Sequence, residues 1–117
     1  MKPHVLIVED NFILAAHLAE VVQEDLAAEP LTATTVSVAL GIIPDNIVLA
    51  LLDIEVADGK TYPAARKLKE NNIPFIFVSG NEIASLPDDL QDVPFLPKPV
   101  ATGRLVGLAK TLSSAFH

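Results

Sequence analysis

Three uninterrupted apolar runs, at residues 5–8, 47–52 and 75–78, limit the folds that this chain can adopt. A strand with one face in water alternates apolar and polar residues, whereas a parallel strand that is buried on both faces reads as one apolar stretch. We therefore predict three central strands of a parallel sheet, with helices on both of its faces.

Two weaker strands are predicted beside these three. Residues 32–36 are β-branched but half polar, and residues 95–96 lie between Pro94 and Pro97. Proline cannot donate to a strand ladder, and polar residues are typical of a sheet margin. Both segments are therefore expected at the edges of the sheet.

The segments between the strands carry helical patterns. Asn11 is a suitable N-cap for a first helix, which we expect Pro30 to end, and a short helical piece is expected near residues 38–43. Pro63 lies near the start of a third helix. The last helix has apolar positions from Leu105 to Phe116. Between the fourth and fifth strands, Pro87 predicts a stunted fourth helix, reduced to a turn or two fragments.

The alternation of strands and helices predicts an α/β fold with a doubly wound, five-stranded parallel sheet in the order 2-1-3-4-5, which is flavodoxin-like. Ligands of such sheets bind at the carboxyl ends of the strands, beside the point where the strand order reverses. Here that point lies between the first and third strands. We expect residues 1–117 to form one domain, because the chain is too short for two cores.

Composition excludes several classes of function. A net charge of −7 argues against nucleic-acid binding, which needs a basic patch. The apolar runs are far shorter than a membrane span. The chain contains no cysteine, hence no disulfide framework or thiolate metal site, and a cytoplasmic address fits.

Residues with useful chemistry follow four of the predicted strands: Glu9 and Asp10 the first, Asp53 the third, Ser79 the fourth and Lys98 the fifth. Parallel strands bring these ends to one rim of the sheet. Carboxylates that lie close together repel one another unless a cation neutralises them. The pattern predicts a place to hold Mg²⁺ and to carry out phosphoryl chemistry, although each residue alone would be an ordinary strand end.

The chain resembles the receiver domains of two-component response regulators over essentially its whole length, as a single-domain type. The matching motifs are Val8-Glu9-Asp10-Asn11, Leu52-Asp53-Ile54 with Asp58-Gly59, Ser79-Gly80 and Lys98-Pro99. Their order, at successive strand ends, makes the resemblance specific.

The resemblance implies a role for each residue. Asp53 would accept a phosphoryl group from a histidine kinase or a histidine phosphotransfer protein. Glu9, Asp10 and Asp53 would hold Mg²⁺ together with the backbone carbonyl of Glu55. In the implied site, Ser79 would hydrogen-bond one phosphoryl oxygen and Lys98 would pair with another.

The resemblance further implies a switch. Ser79 would move toward the phosphoryl group and Phe95 would turn inward, changing the binding of a downstream protein partner. The Lys98–Pro99 peptide would be cis, and Gly59 is suited to a positive φ in the loop after Asp53. The protein would not be an enzyme apart from its own phosphorylation and dephosphorylation, on which the Glu55 side chain and Asn81, both expected near the site, would act.

Other functions stay open. The spacing of Asp53 and Glu55 is that of phosphatases that use a phosphoaspartate intermediate, although the chain leaves no room for their cap domain. A flavin-binding protein is possible on the fold alone, and so is a receiver that binds partners without phosphorylation. The initial methionine favours a stand-alone receiver over a fragment. The shortened stretch between Ser79 and Lys98 puts the family's usual output face in doubt.

Overall fold

The computed structural model describes residues 2–43, 46–80 and 86–116. These residues contain seven strands, which are β1 (His4–Val8), β2 (Glu29–Ala33), β3 (Ile47–Asp53), β4 (Glu55–Val56), β5 (Gly59–Lys60), β6 (Phe75–Ser79) and β7 (Phe95–Pro97). The α-helices are α1 (Phe12–Asp25), α2 (Val36–Ile42), α3 (Tyr62–Glu70) and α4 (Thr102–Leu112).

Five strands form a parallel sheet in the order β2-β1-β3-β6-β7. Strands β4 and β5 form a separate two-stranded antiparallel hairpin. With that hairpin set aside, this is the predicted order 2-1-3-4-5, and the two weak strands lie at the edges as expected. The sheet reverses its order between β1 and β3, as the sequence predicted.

The predicted bounds of the second strand were wrong by three residues. The strand ends at Ala33 rather than at residue 36, because Thr35 instead caps α2 and its hydroxyl accepts a hydrogen bond from the Val38 amide. Pro30 does not end α1, which stops at Asp25; it lies in the edge strand, opposite Val5.

Two further segments differ from a regular helix. The last α-helix ends at Leu112, and residues Ser114–Phe116 form a 3₁₀ turn instead of continuing it. Between β6 and β7, the described residues 86–94 contain one 3₁₀ turn at Asp88–Leu90. The predicted stunting is therefore observed in that part, while residues 81–85 lie outside the described residues, Asn81 among them.

The sheet is buried on both faces, which explains its apolar runs. Alternate residues of β1 enter different cores because strand side chains alternate in direction. Leu6 and Val8 pack on the face that α2 and α3 cover, whereas Val5 and Ile7 pack on the face of α1 and α4. Within the described ranges, no helix is long and apolar enough to cross a membrane.

Candidate metal and phosphoacceptor site

Parallel pairing brings the predicted residues to one rim of the sheet. Val8 pairs with Leu52, so the residues that follow, Glu9 on one strand and Asp53 on the other, emerge side by side. Asp53 is in turn level with Val78, one residue before the end of β6. The rim therefore gathers groups that are distant in sequence.

Three carboxylates meet at this rim. Single oxygen atoms of Glu9, Asp10 and Asp53 all lie within 4.8 Å of one another. Glu9 is almost completely buried, at 1% exposure, Asp53 is half-buried and Asp10 is exposed. The convergence that the sequence predicted for these three residues is present.

Lys98 joins two of the carboxylates. Its Nζ lies 3.0 Å from Asp53 Oδ2, as a hydrogen bond, and 3.1 Å from Glu9 Oε1. Its backbone amide donates to the Ser79 carbonyl at 3.0 Å, which fixes the lysine against the neighbouring strand. The ammonium group is thus held between the buried and the half-buried acid.

Glu9 is the most constrained member of the group. Its Oε2 accepts a hydrogen bond from the Asn11 amide at 3.0 Å, but its buried Oε1 has no hydrogen-bond partner among the described residues, since the contact with Lys98 lacks hydrogen-bond geometry. Burial raises the pKa of the Glu9 carboxyl. The Asn11 amide opposes this effect, and the neighbouring Asp53 adds to it.

The pKa of the Lys98 ammonium is also raised. Burial alone lowers it, but the hydrogen bond to Asp53 and the negative charges of Asp53 and Glu9 outweigh that effect. Lys98 is therefore charged at every physiological pH. With all four groups ionised, one cation faces three anions, and the cluster is left with excess negative charge.

The donor set fits a hard divalent cation. It consists of oxygen atoms only, and Mg²⁺ is bound through one or two carboxylates while it retains several waters. Three carboxylates share one lysine, so the charge balance of the cluster leaves room for a further positive group. These residues could hold Mg²⁺ at the carboxyl rim.

The loop after Asp53 is fixed by Thr61, which is completely buried. The Thr61 hydroxyl donates to the backbone carbonyl of Asp53 at 2.5 Å, and the Thr61 amide donates to that of Ile54 at 2.8 Å. In the same loop Gly59 has φ 127°, the positive value that the sequence predicted.

The Glu55 side chain is not one of the three carboxylates that converge at the rim. It is mostly exposed and forms an ion pair with Lys60 across the hairpin, with a distance of 3.0 Å between Oε1 and Nζ. The expectation that this carboxylate lies near the site entrance stays a prediction, and the structure adds its ion pair with Lys60. The predicted role of the Glu55 backbone carbonyl is a separate matter and stays a prediction.

Ser79 and Phe95 lie on the neighbouring strands β6 and β7. Ser79 is buried at the end of β6, and half-buried Phe95 begins β7, where it lies opposite Phe77. The Lys98–Pro99 peptide is cis, as the resemblance implied. Ser79 thus lies at the carboxyl rim and Phe95 two residues before the end of β7, while the movement of both side chains stays a prediction.

Two open cavities, of about 410 and 440 Å³, lie at the opposite end of the sheet. Both are lined by residues that precede β6, among them Ile73 and Pro74. None of the rim carboxylates lines them, so the candidate chemistry belongs to an exposed rim rather than to these cavities.

Sequence reasoning missed the roles of Thr61 and Asp58. Asp58 was recognised only as part of the Asp58-Gly59 motif, yet its carboxylate accepts hydrogen bonds from the amides of Val36 and Ser37 at the start of α2. The one available signal for Thr61 was a hydroxyl just before the proline-marked helix start, which by itself indicates a helix cap. That hydroxyl makes no cap bond and instead donates to the Asp53 carbonyl at the end of β3.

Comparison with known proteins places the fold. The chain is similar to SdrG from Sphingomonas melonis Fr1, known from a solution structure, with 35% identity, 98% of this chain and 96% of that chain covered, and a TM-score of 0.77. It is also similar to the non-phosphorylated HemR receiver domain from Leptospira biflexa, at 26% identity and with a TM-score of 0.78. That match covers 95% of this chain and 94% of the HemR domain.

A CheY-like response regulator receiver domain from Methylobacillus flagellatus shares the fold, with 20% identity, 97% and 100% of the two chains covered and a TM-score of 0.80. No family model and no curated protein matches the sequence. Sheet order, chain length and relatives agree, and the chain belongs to the response regulator receiver domains.

Proposed function

We propose that this receiver is a phosphoacceptor of a two-component phosphorelay, in which Asp53 takes a phosphoryl group from a phosphohistidine. The observation that carries the proposal is the meeting of three carboxylates within 4.8 Å, with Lys98 bound to the half-buried Asp53. The donor would be a histidine kinase or a histidine phosphotransfer protein in the cytoplasm.

Phosphoryl transfer to Asp53 forms a P–O bond and breaks a P–N bond. One carboxylate oxygen of Asp53 attacks the phosphorus atom, the P–N bond to the donor imidazole breaks, and its electron pair stays on the ring nitrogen. That nitrogen is then protonated from solvent. The protein contributes mainly position and charge, because negative charge spreads over the equatorial oxygens in the transition state. Lys98 is placed to bind one of these oxygens.

Glu9, Asp10, Asp53 and the backbone carbonyl of Glu55 would hold Mg²⁺. When bound, this ion screens the repulsion between the carboxylate nucleophile and an anionic donor. Asn11 and Lys98 each hold one oxygen of Glu9, which orients the buried carboxylate toward the rim.

A change at Ser79 and Phe95 would carry the signal to a downstream protein partner. The added phosphoryl group brings charge and acceptor oxygens, and Ser79, at the end of the neighbouring strand β6, carries a hydroxyl that can donate to them. Phe95 pairs across the strands with Phe77, two residues before Ser79. A Phe95 side chain with the same rotamer with and without beryllofluoride, a phosphoryl mimic, would exclude the aromatic part.

The phosphatase alternative is disfavoured by one contact. That chemistry needs a second acid beside the nucleophile to protonate the leaving group. The Glu55 carboxylate, which would be this acid, is instead paired with Lys60 on the exposed hairpin. We accordingly propose no enzymatic activity beyond phosphorylation and dephosphorylation of the chain itself.

The test is incubation of the purified protein with acetyl phosphate and Mg²⁺, followed by intact mass measurement. The account predicts the added mass of one phosphoryl group, lost in Asp53→Asn and in the presence of a chelator. Asp92→Asn is the matched control, since Asp92 is an exposed acid at the opposite end of the sheet. An adduct of equal yield in Asp53→Asn would exclude Asp53 as the acceptor.

A further inference from the structure

We infer that Asp58 is a positioning residue for the metal site, because it anchors the tip of the β4–β5 hairpin that carries Glu55. This inference rests on the proposed function, in which the Glu55 backbone carbonyl is a metal ligand. Asp58 itself does not belong to the group of carboxylates at the rim.

The anchor consists of two hydrogen bonds to a helix that is distant in sequence. Asp58 Oδ1 accepts from the Val36 amide at 2.7 Å and Oδ2 accepts from the Ser37 amide at 3.2 Å, across 22 and 21 residues of chain. The Thr35 hydroxyl accepts a hydrogen bond from the next amide, that of Val38. Of the three amides in the first turn of α2, one therefore donates to the adjacent Thr35 and two donate to the hairpin residue Asp58.

The helix that receives this anchor is itself held in place. Lys67 of α3 donates from Nζ to the Leu40 carbonyl in the last turn of α2, at 2.7 Å. The buried residues Val36 and Ala39 of α2 pack in the same core as Ala65 of α3. Asp58 thus fastens the hairpin to a fixed body.

At its other end the hairpin is fastened by Thr61, which binds the carbonyls of Asp53 and Ile54. Only two residue pairs, Glu55 with Lys60 and Val56 with Gly59, lie between the Thr61 and Asp58 anchors. An isolated hairpin of this length is not stable in water. The position of the Glu55 carbonyl therefore depends on both anchors.

Loss of the Asp58 anchor should affect different metal ions to different extents. Mg²⁺ demands near-ideal octahedral geometry, whereas Ca²⁺ accepts variable ligand number and geometry. A loosened Glu55 carbonyl should weaken the binding of Mg²⁺ more than that of Ca²⁺. A general loss of stability would not change the ratio of the two affinities.

The test is titration of the unphosphorylated protein with MgCl₂ and with CaCl₂, followed by amide chemical shifts in NMR spectra. Asp58→Ala should weaken Mg²⁺ binding by about tenfold, the size of effect seen when an outer-shell partner of a metal ligand is removed, and should weaken Ca²⁺ binding less. Asp58→Asn retains an acceptor oxygen and should restore part of the Mg²⁺ affinity.

Thr35→Ala is the matched control, since it removes a cap of the same helix without touching the hairpin. Equal Mg²⁺ affinities in Asp58→Ala and Thr35→Ala, or equal losses for Mg²⁺ and Ca²⁺, would overturn the inference and leave the proposed function intact. Wild-type protein that binds no Mg²⁺ would overturn both. If Asp58→Ala does not fold, the same comparison is made with Asp58→Asn, whose Mg²⁺ affinity should fall between wild type and the tenfold loss.

Discussion

Two clusters of charged side chains in this receiver differ in their charge balance. On the surface, the Arg66 guanidinium meets the Asp89 carboxylate through two hydrogen bonds, of 3.0 and 3.2 Å, and Lys69 donates to the Asp89 backbone carbonyl. At the rim, three carboxylates share the single Lys98. The charges of the surface pair balance each other, whereas the rim cluster has more carboxylates than cations.

The pKa directions reflect this difference. The hydrogen bond from Arg66 lowers the pKa of the Asp89 carboxyl, so its ionised form is favoured in the folded protein. Burial and Asp53 raise the pKa of the Glu9 carboxyl, so its ionised form is disfavoured. A balanced ion pair fastens one element to another, whereas an unbalanced buried cluster retains a place for a further positive charge.

The largest effect is expected from Lys98→Met. It removes the one cation of the rim cluster and leaves the buried Glu9 without a counter-charge, which should lower the free energy of unfolding by about 2 kcal/mol. This is less than for a fully buried pair, because 28% of the Lys98 side chain is exposed. Urea unfolding measures the loss, and Arg104→Met, at an exposed position, is the control. Equal stability in the two variants would contradict the claim that Lys98 offsets the negative charge of the rim carboxylates.

Asp53→Asn should have a smaller effect of opposite sign. It removes one of three mutually repelling carboxylates, so the free energy of unfolding without Mg²⁺ should rise, by about 1 kcal/mol. Added Mg²⁺ should stabilise the wild type and reduce this difference. Lower stability of the variant in a chelator would show that the Lys98–Asp53 contact outweighs the repulsion.

Asp89→Asn should have the smallest effect, since the surface pair is half exposed and screened by salt. The pKa of Asp89 is lowered in the fold, so the pair stabilises the protein above the ordinary value of 3.8 and loses that contribution as pH falls through the lower, folded-state pKa. The denaturation midpoint of the variant should be slightly below that of wild type at pH 7, and the gap should close in acid. Mg²⁺ affinity should not change.

The sequence was sufficient for the sheet order and for the convergence of Glu9, Asp10 and Asp53. Each depends on a pattern that is local to one strand end, and parallel pairing then brings the ends together. The start of α2 was misplaced because Thr35 is both β-branched and a good cap, and propensity alone does not decide between these uses.

Long-range polar contacts could not be predicted from the sequence. Nothing in the spacing of the chain indicates that Asp58 binds amides 22 residues earlier, or that Thr61 donates to Asp53 rather than capping its own helix. The ion pair of Glu55 with Lys60 was missed for the same reason, since it is set by the hairpin register. Such contacts follow from tertiary geometry.

The central claim is that the rim carboxylates hold a divalent cation beside Asp53. A crystal structure of the protein with Mg²⁺ and beryllofluoride tests it most directly. The account predicts a metal ion bound by oxygen atoms of Asp10 and Asp53, with the fluoride group on Asp53 and in contact with Lys98. A well-ordered rim without a metal ion, or beryllofluoride attached elsewhere, would contradict it.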